Sequence, residues 1–445
     1  MADAIVQVVH CIDTEGPLLE PLSATFERLR YIFDISLEPT KANLEGLQRG
    51  EFDLGGKEDA VRAMVSPDFL AYNDNWDKIN SMLDDLMSND FRQRYSDSYG
   101  NGWIFNWHCV DHVEYQSNPR HRDIGYLHIF DYYQNKIVET GSSQDGMHFH
   151  YHPMPFSGQA NHCATHWFSH SDTLFQIIAR RLIDRMWFPS VNRPGFHTTR
   201  PDSNWFLEQF IPFDYANQSY QIEGDQPDLN NGRFGDWRRA PHTWQPYNPS
   251  HDDYQIQGRS RRNIFRCLNV GTRTRLLRQE DVDQAFVEAQ EGKSVVLAFA
   301  NHDYRDMRPD IERVYEMLTS AQKRNTGVKF RHSEGREAAR YALGYTESAP
   351  CKLLLEVVGN IINIESDKPI FGPQPFLALK TQEGNYFHDN LDIHEPFKKW
   401  SYVLDEQTIP IHKLDSLGVG ACDNTGNVSV IVWHVIENKV KTRSF

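Results

Sequence analysis

Short apolar runs alternate with helical stretches along most of this 445-residue chain, and that alternation limits the possible folds more than any other feature. Ile5–Asp13, Trp103–His112, Gly146–His152, Ser190–Phe196, Phe213–Gln218 and Val295–His302 are predicted strands. Between them, Ser23–Phe33, Asn75–Ser88, Ser171–Trp187, Asp202–Phe210 and Asp281–Glu291 are predicted helices. The Ser171 stretch opens on a capping residue and places Leu174, Ile177, Ile178 and Leu182 on one stripe. Strands separated by helices pair in parallel, so the pattern over roughly 340 residues implies a parallel sheet or a (β/α) barrel.

Two segments interrupt it. Residues 38–102 form an acidic, helical insertion, and 219–258 form a long loop rich in Asn, Pro, Asp, Trp and Tyr. Helical patterns over Asp310–Arg324 and Ser333–Leu343 follow. After Cys351 the runs alternate or are wholly apolar, with turns between them and little helix. The expected organisation is an α/β barrel domain over 1–348 and a separate antiparallel β-sandwich over 349–445.

A formal charge of -15 argues against a nucleic-acid binder, which needs clustered cations. The main exception is Arg259–Arg262 with Arg238 and Arg239 nearby, read as a solvated face or a grip on an anion. Six scattered cysteines without a CxxC pair suit reduced thiols. No apolar run reaches the roughly 20 residues that span a bilayer. The start lacks a basic, then apolar, leader, so a cytoplasmic location is expected.

The chemistry gathers at strand ends. The first strand closes on Asp13 and Glu15, ahead of Gly16-Pro17. His148, His150 and His152 close another, and period-2 alternation throws all three to one side; a bend would instead pair His148 with His152. Neutral imidazoles with a carboxylate suit Zn²⁺ or a similar divalent ion. His162, His166 and His170, four residues apart, are a rival metal clip at helical spacing. Asp111-His112, Arg193-Pro194-Gly195-Phe196 and His302 end further runs. In a parallel barrel these ends converge on one mouth.

Taken in order, these residues resemble the NodB-type polysaccharide deacetylase superfamily, carbohydrate esterase family four and its relatives. The matching positions are Asp13 and Glu15, His148 and His152, Arg193-Pro194-Gly195-Phe196, Asp236-Trp237, and His302. They span roughly residues 1–330. About 130 residues separate the first two motifs, and Arg233 stands where the fourth motif has an aspartate. The resemblance implies a distorted (β/α)₇ barrel. It implies that Glu15, His148 and His152 hold a divalent metal, most naturally Zn²⁺. Asp13 would be the general base, oriented by Arg193, and His302 the general acid. Gly195 and Phe196 would offer a backbone N–H to the oxyanion. Trp237 would contact substrate, and Asp111 is a further candidate for ligand or substrate contact. Trp237, Trp244, Tyr247 and Tyr254 could stack on sugar faces or simply anchor their loop.

The expected activity is metal-dependent removal of an acyl group, most naturally acetyl, from an N-acylated amino sugar or glycan precursor. Hydrolysis of a formamide or cyclic amide is the alternative on this scaffold, and a non-catalytic carbohydrate-binding protein is the alternative of another class. The reading leaves room for a homo-oligomer.

Overall fold

The computed structural model describes residues 4–153, 172–220, 235–346 and 349–445. His162, His166, His170, Cys163, Ser171 and Arg233 lie outside the described residues.

Seven parallel strands close into a barrel. They are β1 (Ala4–Thr14), β2 (Phe105–Cys109), β3 (Gly146–Tyr151), β4 (Val191–Pro194), β5 (Phe213–Asn217), β6 (Asn263–Asn269) and β7 (Val295–His302). Each pairs with the next, and β7 and β2 both pair with β1. An eighth strand, β8 (Val328–His332), shares the β2 side of β1. It takes Ala4–Val8, and β2 takes His10–Thr14. β1 is therefore the hub, flanked along its length by β7 and on its other side by two strands in succession.

Alternation turns Val9, Cys11, Val191, Phe213, Tyr215, Phe265, Cys267, Val296, Ala298 and Ala300 into the barrel. α11 (Gly335–Leu343) closes the amino-terminal end of the barrel by setting Ala338 and Ala339 among them. Opposite residues of the same strands, such as Val6, Val8 and Ile12, pack outward. Their cover includes α4 (Trp76–Leu86), α6 (His128–Glu139), α7 (Thr173–Arg185), α9 (Gln279–Gln290) and α10 (Arg308–Arg324). The carboxyl ends of the strands are left to the loops.

The insertion folds as α2 (Lys41–Arg49), α3 (Glu58–Val65), α4 and α5 (Asn89–Arg94). With α1 (Leu22–Phe33) it has a small core of its own, including Phe26, Leu29, Leu47, Val61 and Met64. α4 starts where Asn75 caps it, accepting from the Lys78 amide at 3.0 Å. The loop between α3 and α4 is tied to the barrel mouth: Asn73 N donates to Tyr304 O at 2.8 Å.

The C-terminal region is a sandwich of two antiparallel sheets. One is β9 (Leu353–Val358), β10 (Ile361–Ser366), β13 (Asp392–Glu395) and β14 (Lys399–Val403). The other is β11 (Phe376–Thr381), β12 (Tyr386–Asp389), β15 (Leu414–Cys422), β16 (Val428–His434) and β17 (Lys439–Ser444). Their inner faces share one core, in which Ile362, Ile364 and Trp400 meet Leu377, Leu417, Val419 and Ile431.

This region is less separate than its sequence suggests. The outer face of the five-stranded sheet packs on α7, and Ala378, Val430 and Val432 join the barrel's own core. Gly418 and Gly420 make that approach possible. A Cβ at Gly420 would stand 2.7 Å from Cδ2 of Phe188.

Among the described residues, no helix is long and apolar enough to cross a membrane. Cys11, Cys109, Cys267, Cys351 and Cys422 are free thiols, all buried.

Candidate metal and catalytic centre

The strand ends do meet. One cavity at the carboxyl edge is lined by Asp13, Glu15, His152, Phe196, His197, His302 and Tyr304. They come from the carboxyl ends of β1, β3, β4 and β7 and the loops that follow, as a parallel barrel requires.

Asp13 and Glu15 are both nearly fully buried. Burial alone would raise the pKa of Asp13, but Arg193, His150 and His302 outweigh it and hold the carboxyl below its usual range. Arg193 Nε donates to Asp13 Oδ1 at 2.6 Å. The guanidinium is itself fully buried, with Nη1 donating to Tyr215 O and to Cys267 Sγ, each at 3.3 Å. Glu15 is likewise kept ionised against its burial, chiefly by Arg122 and then by His152.

The two oxygens of Glu15 have different neighbours. Oε2 pairs with Arg122, and Oε1 faces His152 Nε2 at 3.5 Å and His302 Nε2 at 3.8 Å. Its backbone is clamped as well. The amides of Glu15 and Gly16 each donate to Asp303 at 2.9 Å, and the Glu15 carbonyl contacts His112 Nε2 at 2.9 Å. Tyr133 Oη donates to the same Asp303 carboxylate at 2.8 Å. Burial raises Asp303 to about 7.

Ligating atoms of Glu15, His150 and His152 lie within 4.8 Å of one another. The two imidazole Nε2 atoms are 2.9 Å apart. His150 Nδ1 lies 2.7 Å from the Arg193 carbonyl. A neutral ring donating there leaves its Nε2 as a bare lone pair, the form a metal takes. His152 is neutral, its pKa lowered to about 3 by burial. Two nitrogens and one carboxylate oxygen at these spacings approach the roughly 3.3 Å edges of a tetrahedral zinc site. The residues present therefore fit a divalent ion, with at least one position left for another ligand.

This trio differs from the set implied by the sequence in one member. His148 is not part of it; its Nε2 contacts Asn106 Oδ1 at 3.0 Å and Glu334 Oε1 at 3.1 Å. All three histidines do point inward, but His148 faces the closed end of the barrel, beside the start of α11. His150 takes its place. Asp111 is spent on structure as well: it accepts from Arg181 Nη2 and from the Leu127 amide, each at 2.5 Å.

His302 Nε2 stands 3.6 Å from Asp13 Oδ2, and its ring stacks on Tyr304 at 4.7 Å between centroids. Burial lowers its pKa to about 4, more than Asp13 and Glu15 can raise it. After β4, Phe196 and His197 both have φ of 52°, a left-handed conformation rare for such side chains. Gly195 just before them is obligatory, because a Cβ there would lie 2.5 Å from His152 Cδ2 and 2.6 Å from the Tyr151 carbonyl oxygen. The strained turn sets Phe196 against His152, with ring centroids 4.8 Å apart. It also brings His197 Nε2 to 3.5 Å from Arg193 Nη2. No signal in the sequence marked His197, which neither repeats nor pairs with another motif.

The loop aromatics are anchors. Trp237 is buried and donates from Nε1 to the His197 carbonyl at 3.0 Å, which fixes the strained turn from behind. Trp244 Nε1 donates to Asp281 O, Tyr247 Oη to Tyr254 O and Tyr254 Oη to Asp236 O. The Arg-rich stretch is similarly occupied: Arg261 pairs with Glu208 and the fully buried Arg262 with Asp214.

No protein-family model matches the chain, and no curated protein matches its sequence.

Proposed function

We propose that this protein is a metal-dependent hydrolase of the polysaccharide deacetylase type. It would remove an acyl group, most naturally acetyl, from an N-acylated amino sugar or glycan precursor. One observation carries the reading: Asp13, Glu15, His152 and His302 line one cavity, with Arg193 paired to Asp13 and His150 completing a donor trio with Glu15 and His152.

Glu15, His150 and His152 are the residues that would hold the ion, and two nitrogens with one oxygen suit Zn²⁺. When bound, such an ion supplies Lewis acidity, polarising the acyl carbonyl and making a water easier to deprotonate near neutral pH. Asp13, ionised and fixed by Arg193, accepts the proton from the attacking water. His302 is neutral in the resting protein, so it must gain a proton before it can give one. Asp13 is the donor within reach, at 3.6 Å. The water proton thus passes from Asp13 to His302 Nε2 and on to the leaving amine nitrogen, so that Asp13 ends ionised again. The backbone at Gly195–Phe196 is the candidate donor to the oxyanion.

Release of free amine from N-acetylated sugars by the zinc-loaded protein tests this. Asp13→Asn and His302→Ala should each lower turnover by about 10²–10⁴-fold with metal still bound. Wild-type turnover in either variant overturns the mechanism.

A further inference from the structure

The cavity's charge is opposite to that of the chain. Beyond the reacting residues it is lined by Arg28, Arg120, Arg122, Arg273 and Arg305, five guanidiniums facing the three carboxylates Asp13, Glu15 and Glu20. The chain as a whole carries -15.

Two of these cations, Arg28 and Arg305, are incompletely matched. Arg28 and Arg120 both pair with the single carboxylate of Glu20, the latter at 2.6 Å. Arg28 Nε is buried and has no hydrogen-bond partner among the described residues. Arg305 has no carboxylate within ion-pair distance among the described residues. Its Nε donates to Phe69 O at 3.1 Å, Nη1 to Gly271 O at 3.3 Å and Nη2 to Tyr72 Oη at 3.1 Å. That leaves two of its five N–H groups. Its plane is held by Phe69 at 3.9 Å and Tyr72 at 4.8 Å, so it is preorganised. Tyr72 senses the local field. Burial should raise its hydroxyl pKa, yet Arg28 and Arg305 draw it below the ordinary value. Gathering unmatched cations in a cavity costs stability unless an anion offsets them.

Tyr304 lies between this cluster and the reacting residues. Its ring is 4.7 Å from the His302 ring and 5.0 Å from the Arg305 guanidinium. The cations therefore stand about one ring's breadth from the proposed chemistry, the scale of a single sugar unit.

We propose that the cavity binds an acidic substrate, its phosphate or carboxylate group seated on Arg305 and Arg28 while its acyl-amide faces Asp13 and His302. This rests on the hydrolase reading for the second half of the statement and on the cation cluster alone for the first. The wall that supplies Phe69 and Tyr72 is the long insertion, so the insertion would confer this selectivity.

The test is calorimetric binding to the zinc-loaded protein, with free-amine release measured in parallel. The probes are N-acetylglucosamine, N-acetylmuramic acid and N-acetylglucosamine 1-phosphate, respectively neutral, carboxylate and phosphate. At least one charged sugar should bind ten or more times more tightly than the neutral one, and whichever does identifies the anion. Arg305→Met should cut that charged-to-neutral ratio at least tenfold, and Arg305→Lys should restore part of it. Equal affinity for all three sugars in the wild type overturns the proposal. So does a ratio unchanged in Arg305→Met, which would mean that the ion alone captures the anion. Arg305-dependent binding without amine release would keep the anion subsite and reject the hydrolase. Release from the neutral sugar without charge preference would do the reverse.

Discussion

At the residue scale, the division of labour among His148 and His150 of β3 and His152 just after it is open to direct test. Glu15→Ala and His150→Ala should weaken zinc binding by more than about 100-fold, beyond the 10–100-fold typical of losing a supporting contact. His148→Asn should keep one ion per chain, because its ring serves Asn106 and Glu334 at the closed end. Metal content after dialysis decides it; an empty His148→Asn protein would reinstate the set Glu15, His148 and His152. The acid pair, Arg193, Gly195 and His302 were legible in the sequence because each ends an apolar run or shapes a tight turn. Choosing between His148 and His150 was not possible from spacing. Period-2 alternation reports which side a residue faces and says nothing of its depth, which depends on how far each strand is staggered around the barrel. Direct register places Asp13 beside His108 and His108 beside His148, yet the tilted strands lift His150 and His152 to the level of Glu15.

At the scale of elements, six of the seven barrel strands were visible as apolar runs, and β6 and β8 were not. Arg266 interrupts β6 and is fully buried against Asp281 at 2.8 Å, an arrangement that a hydropathy pattern cannot foresee. In β8, Lys329 and Arg331 face away from the core between Val328, Phe330 and His332, too short an alternation to stand out after a long helix. The sandwich was legible, but its docking was not, because the signal is the absence of side chains at Gly418 and Gly420. Gly420→Ala should overpack the joint with Phe188 and Leu182 and destabilise the protein by about 1–3 kcal/mol, with metal content unaltered. An unchanged melting temperature would show that the sandwich does not depend on α7.

At the scale of the whole molecule, buried imidazoles govern the response to acid. His10, His108, His112, His197 and His332 are all pushed below their ordinary value by burial, His10 to about 3 and His332 to about 4. Unfolding returns each to near 6.5, where it takes up a proton that the native state refuses. Stability is therefore whole above pH 6.5 and falls as pH drops below it, by up to about 1.4 kcal/mol per pH unit for each group. Asp303 acts in the opposite sense. Raised to about 7, it keeps its proton in the native state and favours folding as pH falls from 7 toward 4. Asp303 and the other raised carboxyls, Asp145, Asp214, Glu288, Asp310 and Glu337, oppose a larger set of lowered imidazoles that also includes His152, His242, His302 and His388, so the urea midpoint should decrease between pH 7 and 5. A flat or rising midpoint would refute this account.

The position of β1 as hub has a consequence for how the chain is made. The first barrel strand to leave the ribosome is the one that needs the last strands of the sheet, since Val6–Asp13 pair with Val295–His302 and Ala4–Val8 with Val328–His332. Translation at 5–20 residues per second leaves that apolar strand without its β7 neighbour for about 15–60 s. Nascent chains halted near residue 290 should thus recruit chaperones and yield to protease at β1, whereas chains extended past β8 should resist.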